Sequence, residues 1–289
     1  MRILELRTQP KCQRFYRAIG LIGMMIIGIA GYSQTERTFH FPKTVDYPQS
    51  LPARDKVWIF ILAGQSNMAG RGVVAASDTV PNERILSINS KNEVVVAKEP
   101  LHFYEPTLTG LDCGMSFARR LLGVLNEDIS ILLIPVAVGG SSSHQWLGDS
   151  LHRGVRLMTN FQQRVSSASK HGVIKGILWH QGESDTNDQS ISGYGERLEK
   201  IFLQFRQHCR NPNLSIIIGK LGSFSDNQVR WNAINAAIER YTSLDNFAWA
   251  IETADLRSKD DKIHFDSEGQ RIMGSRMADR FLKATGVAR

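Results

Sequence analysis

Five short apolar runs, at residues 57–63, 131–138, 174–180, 214–219 and 247–251, constrain this chain more than any other feature. Each is rich in β-branched or aromatic residues and apolar at consecutive positions, the pattern of a strand covered on both faces, and such strands belong to parallel sheets. Between them lie stretches of helical periodicity near 113–126, 151–170, 193–209 and 227–243. Strand and helix in alternation predict an α/β fold: a three-layer αβα sandwich around a central, mainly parallel five-stranded sheet. Residues 85–88, a polar turn at 89–92 and residues 94–97 read as a β-hairpin inserted after the first strand. The last helix is expected to begin at Ser267, with Gln270 as a capping-box partner and a stripe of Ile272, Met273, Met277, Phe281 and Leu282 facing the sheet.

At the amino terminus Arg2, Arg7, Lys11, Arg14 and Arg17 precede an apolar stretch at 18–32, and Ser33-Gln34-Thr35-Glu36 then turns polar. That order is an export signal, with cleavage expected near Ser33. A membrane anchor is the alternative, but this Gly-rich stretch is shorter than the roughly 20 apolar residues a span needs. No stable membrane insertion is expected once the signal is removed, and the protein is expected to be exported, to a periplasm or outside the cell. The chain then divides into a signal peptide at 1–34, an extended lead-in at 35–54 with Pro42, Pro48 and Pro52, and one α/β domain at 55–289. The signal's five Lys/Arg against Glu5 carry +4 of the formal net charge of +7. The remaining charge is small and scattered, which argues against a nucleic-acid partner. Cys113 and Cys209 would occupy a compartment that permits a disulfide, but their spacing does not establish one, and two buried thiols are expected.

The chemistry gathers at the strand ends. The run Ile59-Phe60-Ile61-Leu62-Ala63 feeds into Gly64-Gln65-Ser66-Asn67, placing a serine at the C-terminal lip of a buried strand, where open α/β sheets bind their ligands. A serine hydroxyl attacks only when a positioned base takes its proton, and without one a Gly/Ser/Asn cluster is an ordinary turn. A base is present in Asp260-Asp261-Lys262-Ile263-His264, just before the final helix. The spacing of Asp261 to His264 lets a carboxylate hold one ring nitrogen while the other faces a hydroxyl. Only that spacing favours Asp261 over Asp260.

The second run ends in Gly139-Gly140-Ser141-Ser142-Ser143, which either exposes backbone N–H groups to a developing oxyanion or makes a flexible turn. The third ends in Trp179-His180-Gln181-Gly182-Glu183-Ser184-Asp185, bringing the amide donor of Gln181 to the same edge. His180, Glu183 and Asp185 raise the question of a metal, but no second His lies at ligand spacing, so none is expected. Trp179, inside an apolar run, reads as core, whereas Trp146, after the glycine loop, reads as a pocket wall. Arg71 either touches a polar substrate or sits in solvent.

Four motifs, Gly64-Gln65-Ser66-Asn67-Met68, Gly139-Gly140-Ser141, Trp179-His180-Gln181-Gly182-Glu183-Ser184-Asp185 and Asp261-Lys262-Ile263-His264-Phe265, resemble those of the SGNH-type hydrolases. The resemblance is to their sialate O-acetylesterase-like branch, which includes the acetylxylan esterases of carbohydrate esterase family six. It runs in order from about residue 55 to 285. It implies a flavodoxin-like fold with Ser66 as nucleophile, His264 as base and Asp261 as its orienting acid. It also implies an oxyanion hole made by the N–H groups of Ser66 and Gly140 and the side chain of Gln181. Candidate substrate contacts are Gln65, Asn67, Arg71, Trp146 and Glu183. Gln65 stands where many members carry Asp and Gln181 where most carry Asn, departures that match this branch.

The expected function is removal of O-acetyl groups from carbohydrate through an acyl-enzyme, with an acetylated sugar as the partner and no cofactor. Acetylated xylan, another polysaccharide and O-acetyl sialic acid are all compatible with the sequence. A lipid or aryl esterase, and a carbohydrate-binding protein without turnover, are the alternatives.

Overall fold

The strand β1 (Val57–Gly64) is flanked by β4 (Ser130–Pro135) on one side and β7 (Val173–His180) on the other, both parallel to it. The computed structural model describes residues 37–287, so the expected signal peptide lies outside the described residues. Beyond β4 come β2 (Ile85–Ile88) and β3 (Val94–Val96), and beyond β7 come β8 (Ser215–Gly219) and β9 (Ala248–Ile251). The sheet order is β3-β2-β4-β1-β7-β8-β9, with β3 alone antiparallel to its neighbour. Two short strands, β5 (Leu151–His152) and β6 (Val155–Arg156), form a separate antiparallel ribbon.

The sheet therefore has seven strands where five and a hairpin were expected. The hairpin is not an appendage: β2 pairs parallel to β4, with Ile85 opposite Ile131, and its Ile85, Leu86 and Ile88 are buried. A four-residue strand gives too short a pattern to separate a free hairpin from a sheet edge. The expected helix at 151–170 is also shortened. Arg153 and Gly154 adopt left-handed backbone angles, φ 48° and 80°, which turn the chain back into the β5–β6 ribbon, and the helix begins only at Leu157.

Alternate residues of each central strand enter opposite layers, as the strand period demands. Ile59, Ile61, Ile177, Trp179, Ile216 and Ile218 pack with side chains from the helices Leu157–Ala168, Tyr194–His208 and Gln228–Leu244. Phe60, Leu62, Leu133, Leu178 and Ile217 pack with the helices Gly114–Leu122 and Ser267–Thr285 through Phe117, Met273, Met277 and Phe281. The last helix starts at Ser267 as expected, but its N-cap is Asp266, whose side chain accepts from the Gly269 N–H at 2.7 Å. Gln270 is buried and donates to the Asn67 carbonyl instead of closing a capping box. Cys113 and Cys209 are free thiols. Among the described residues no helix is long and apolar enough to cross a membrane.

Strands β1, β4, β7 and β9 all run the same way, so the segments that follow them emerge on one edge, where the chain order reverses direction across the sheet. Gly64 closes β1 with φ 137°, and a Cβ there would lie 2.0 Å from the His180 carbonyl oxygen. The approach lets the Gln65 N–H donate to that same oxygen at 2.9 Å, binding the two strand ends together. Gly64→Ala is expected to cost on the order of 2–4 kcal/mol, from overpacking and backbone strain together. Urea unfolding checks this; a loss under about 0.5 kcal/mol, the scale of a neutral surface change, would contradict the close approach.

Candidate active site

Ser66 opens the single-turn helix Ser66–Ala69 directly after β1. His264 comes from the connection between β9 and the last helix, 198 residues away in sequence, and its Nε2 lies 2.9 Å from Ser66 Oγ. The other ring nitrogen, Nδ1, lies 2.8 Å from Asp261 Oδ2. Asp261 Oδ1 accepts from the N–H groups of Ile263 at 3.0 Å and His264 at 2.9 Å. Burial opposes ionisation of Asp261, but the hydrogen bonds from the His264 ring and from these two N–H groups outweigh it and hold the carboxyl below its ordinary value. An ionised carboxylate only accepts, so Nδ1 carries the proton and Nε2 is left as an acceptor for the serine hydroxyl. Asp260 is exposed and makes no contact of this kind.

Asn67 straps the serine turn to the histidine loop. Its Oδ1 accepts from Phe265 N–H at 3.0 Å, and its Nδ2 donates to the Ile263 carbonyl at 3.1 Å and to Glu183 Oε1 at 2.5 Å. His180 lies beneath, fully buried, with Nε2 donating to the Lys220 carbonyl at 3.0 Å and its ring set edge-on to Phe265. Burial holds its pKa below the ordinary histidine value, so the ring is neutral packing under the loop.

The turn after β4 lies over the same edge. Ser141 Oγ donates to the Gly64 carbonyl at 3.1 Å, joining this turn to the end of β1. Gly140 is exposed with φ 75°, a conformation that glycine adopts without strain. Among the described residues, the N–H groups of Ser66 and Gly140 have no internal acceptor. The preceding N–H, of Gly139, donates to Glu105 Oε2 at 2.6 Å. Glu105 in turn holds Arg71 at 2.9 Å and pairs with Arg153. Burial would raise the Glu105 carboxyl, but the charge and hydrogen bond of Arg71, the Gly139 N–H and the charge of Arg153 bring it below its ordinary value. Glu105 carries no motif signal: it follows Tyr104 in an irregular segment, and only the folded contacts reveal it.

Several expectations need correction. Gln181 is fully buried, and its Nε2 faces Asp185 Oδ2 at 2.6 Å, Gln65 Oε1 at 3.2 Å and the Ser141 carbonyl at 3.2 Å. Two hydrogens already serve three acceptors, so Gln181 braces the strand ends and is not a third oxyanion donor. The cause is Asp185, a buried carboxylate that also draws in Ser143 N–H at 2.8 Å and Ser143 Oγ–H at 2.7 Å.

Trp146 is fully buried, its ring edge-on to Trp179 and Phe205 and its Nε1 donating to Ser141 Oγ at 3.0 Å, so it is core and not a pocket wall. Arg71 neither meets solvent nor turns outward: it is buried against Glu105. One side-chain oxygen each of Gln65, Asn67 and Glu183 is engaged between these segments, by Ser184 N–H, Phe265 N–H and Asn67 Nδ2, while Glu183 Oε2 is buried without a partner among the described residues. All five side chains expected to contact substrate are therefore buried among the turns that follow the strands. Among the described residues no group of three His, Cys, Asp or Glu side chains is arranged to hold a metal ion.

A Ser-His-Asp chain at the C-terminal edge of a parallel αβα sheet defines the serine-hydrolase class of site. Over residues 56–283 the sequence matches the family described as carbohydrate esterase, sialic acid-specific acetylesterase, and the chain belongs to that family. It is 30% identical over 246 residues to a probable carbohydrate esterase of Arabidopsis thaliana, covering 78% of this chain and 90% of the plant protein. The crystal structure of that plant protein superposes with a TM-score of 0.70 at 27% identity, covering 78% of this chain and 98% of the other. The structure of NanS shares the fold at 16% identity, with a TM-score of 0.64 and coverage of 81% and 98%. A carbohydrate acetylesterase from Xanthomonas citri does so at 16% identity and a TM-score of 0.59, covering 80% of this chain and 57% of that one.

The hydrogen bonds of Asp261 and their absence at Asp260 make a paired prediction. Asp261→Asn should lower kcat for an acetate ester by about 10²–10⁴, because it removes the charge that stabilises an imidazolium and fixes the tautomer. Asp260→Asn should stay within about twofold, as an exposed side chain without a partner does. Steady-state kinetics of the two variants decide it, and the reverse order would reassign the acid.

Proposed function

We propose that the protein is a serine esterase that removes O-acetyl groups from carbohydrate through an acetyl-enzyme. The observation that carries the reading is the unbroken chain from Ser66 Oγ through the His264 ring to Asp261, with 2.9 Å and 2.8 Å links. In this mechanism Ser66 Oγ attacks the acetyl carbonyl while His264 Nε2 takes its proton, and Asp261 stabilises the imidazolium. The oxygen of the tetrahedral intermediate is held by the N–H groups of Ser66 and Gly140, which are free to donate. His264 then returns the proton to the departing sugar oxygen. Water, activated by the same ring, attacks the acetyl-enzyme, releases acetate and restores Ser66. The residues described require no cofactor for these steps.

Membership of a carbohydrate esterase family supports a sugar as the alcohol, with acetylated xylan, another polysaccharide or O-acetyl sialic acid as the classes in view. The basic and then apolar amino-terminal stretch supports action outside the cytoplasm. Acetate release from a panel of native acetylated glycans, set beside para-nitrophenyl esters of rising acyl length, tests the reading. The expected result is glycan deacetylation, with acetyl preferred to longer acyl chains. Ser66→Ala should reduce turnover by about 10⁴–10⁶ in a protein that still folds. Equal or better hydrolysis of long acyl chains would point to a lipid esterase, and near-wild-type turnover by Ser66→Ala would overturn the serine mechanism.

A further inference from the structure

We infer that His152 is a positioning residue for the oxyanion donor at Gly140, an inference that rests on the esterase reading above. The Gly140 N–H and the Gly139 carbonyl belong to one planar peptide unit and point in opposite directions across it. Whatever fixes the carbonyl therefore aims the N–H. His152 Nε2 lies 2.9 Å from the Gly139 carbonyl oxygen.

The direction of this bond follows from its neighbours. Gln145 Oε1 accepts from the Ser142 N–H at 2.9 Å, and Ser142 Oγ lies 3.3 Å away, which fixes the amide and turns its Nε2 toward His152 Nδ1 at 3.2 Å. An amide nitrogen only donates, so Nδ1 accepts, and the neutral ring carries its proton on Nε2 and donates it to Gly139. On the far side the Gly139 N–H is held by Glu105 at 2.6 Å. The peptide units on both sides of Gly139 are thus clamped.

The clamp has a chemical purpose. Gly140 is exposed, with φ 75° and no side chain, and it follows a second glycine, so nothing in the turn itself resists a peptide flip. A flip would present a carbonyl oxygen to the developing oxyanion and repel it. The His152 bond opposes that rotation. It also withdraws electron density from the carbonyl, which strengthens the N–H of the same peptide as a donor. The ribbon β5–β6 delivers this residue, and its next residue, Arg153, pairs with Glu105 on the other half of the clamp.

His152→Phe keeps a ring without a donor, and His152→Gln restores an N–H on a side chain of similar reach. Both are made in the full-length protein. Two rates are measured: phosphonylation of Ser66 by a para-nitrophenyl alkylphosphonate, and steady-state hydrolysis of para-nitrophenyl acetate, an ester without a sugar. His152→Phe is expected to slow phosphonylation and kcat by about tenfold, a fraction of the loss from deleting a whole oxyanion donor, with KM little changed. His152→Gln is expected to recover most of both rates, which a simple packing defect would not allow. His152→Phe rates within about twofold of wild type, a glutamine variant as slow as the phenylalanine one, or a loss confined to KM would overturn the inference and leave the esterase reading standing. If the phenylalanine variant fails to fold, His152→Leu takes its place under the same criteria, with the glutamine variant still the rescue. No phosphonylation of Ser66 in the wild-type protein would overturn the esterase reading itself, and this inference with it.

Discussion

The hydrogen bond between Ser66 Oγ and His264 Nε2 joins residues 198 apart in sequence, and the architecture can be understood as the means of making it. A serine after the first central strand meets a histidine after the last strand only if both strands exit on the same edge. The parallel order from β2 to β9 provides that edge, and the crossover helices that parallel pairing requires cover both faces of the sheet. The hydrophobic layers fix the strands, the strands fix the turns, and the turns place the two side chains within hydrogen-bonding distance.

Beneath that bond lies a buried polar layer that does the local positioning. Asn67, Gln65, Gln181, Asp185 and Glu105 are all at most 7% exposed, yet each bridges two of the segments that leave the strand ends. An unpaired polar group in such a place costs about 1–3 kcal/mol, so a network with most of its groups paired has few alternative arrangements. This rigidity suits a site that works by preorganised dipoles, because the donors need not reorient as charge develops. It also explains why Gln65 and Asn67, the neighbours of Ser66 in sequence, are buried.

Much of this was legible in the sequence. The run 131–138 is apolar at every step and 214–219 at all but Ser215, a pattern that a strand covered on both faces tolerates, and such runs revealed the parallel core. Ser66 and the Asp261–His264 spacing pointed to the hydrogen-bonded Ser-His-Asp chain because a strand-end serine and an Asp three residues before a His are each local features that a short motif encodes. Trp146 and Gln181 were misread because burial is decided by distant partners. Trp146 turns inward against Trp179 and Phe205, and Gln181 is claimed by Asp185, a carboxylate whose demand for donors has no sequence pattern. Glu105 and His152 escaped for the same reason: each acts through a backbone group of Gly139 that no spacing rule connects to it.

The central claim is that one covalent intermediate on Ser66 lies on the reaction path, and product partitioning tests it most directly. Acetate esters with different leaving groups are hydrolysed in the presence of a fixed concentration of a competing alcohol, and the ratio of acetate to the new acetate ester is measured for each. A common acetyl-enzyme predicts the same ratio for every substrate, because the leaving group has departed before water and alcohol compete. A ratio that changes with the leaving group would mean direct attack on the bound ester and would contradict the account.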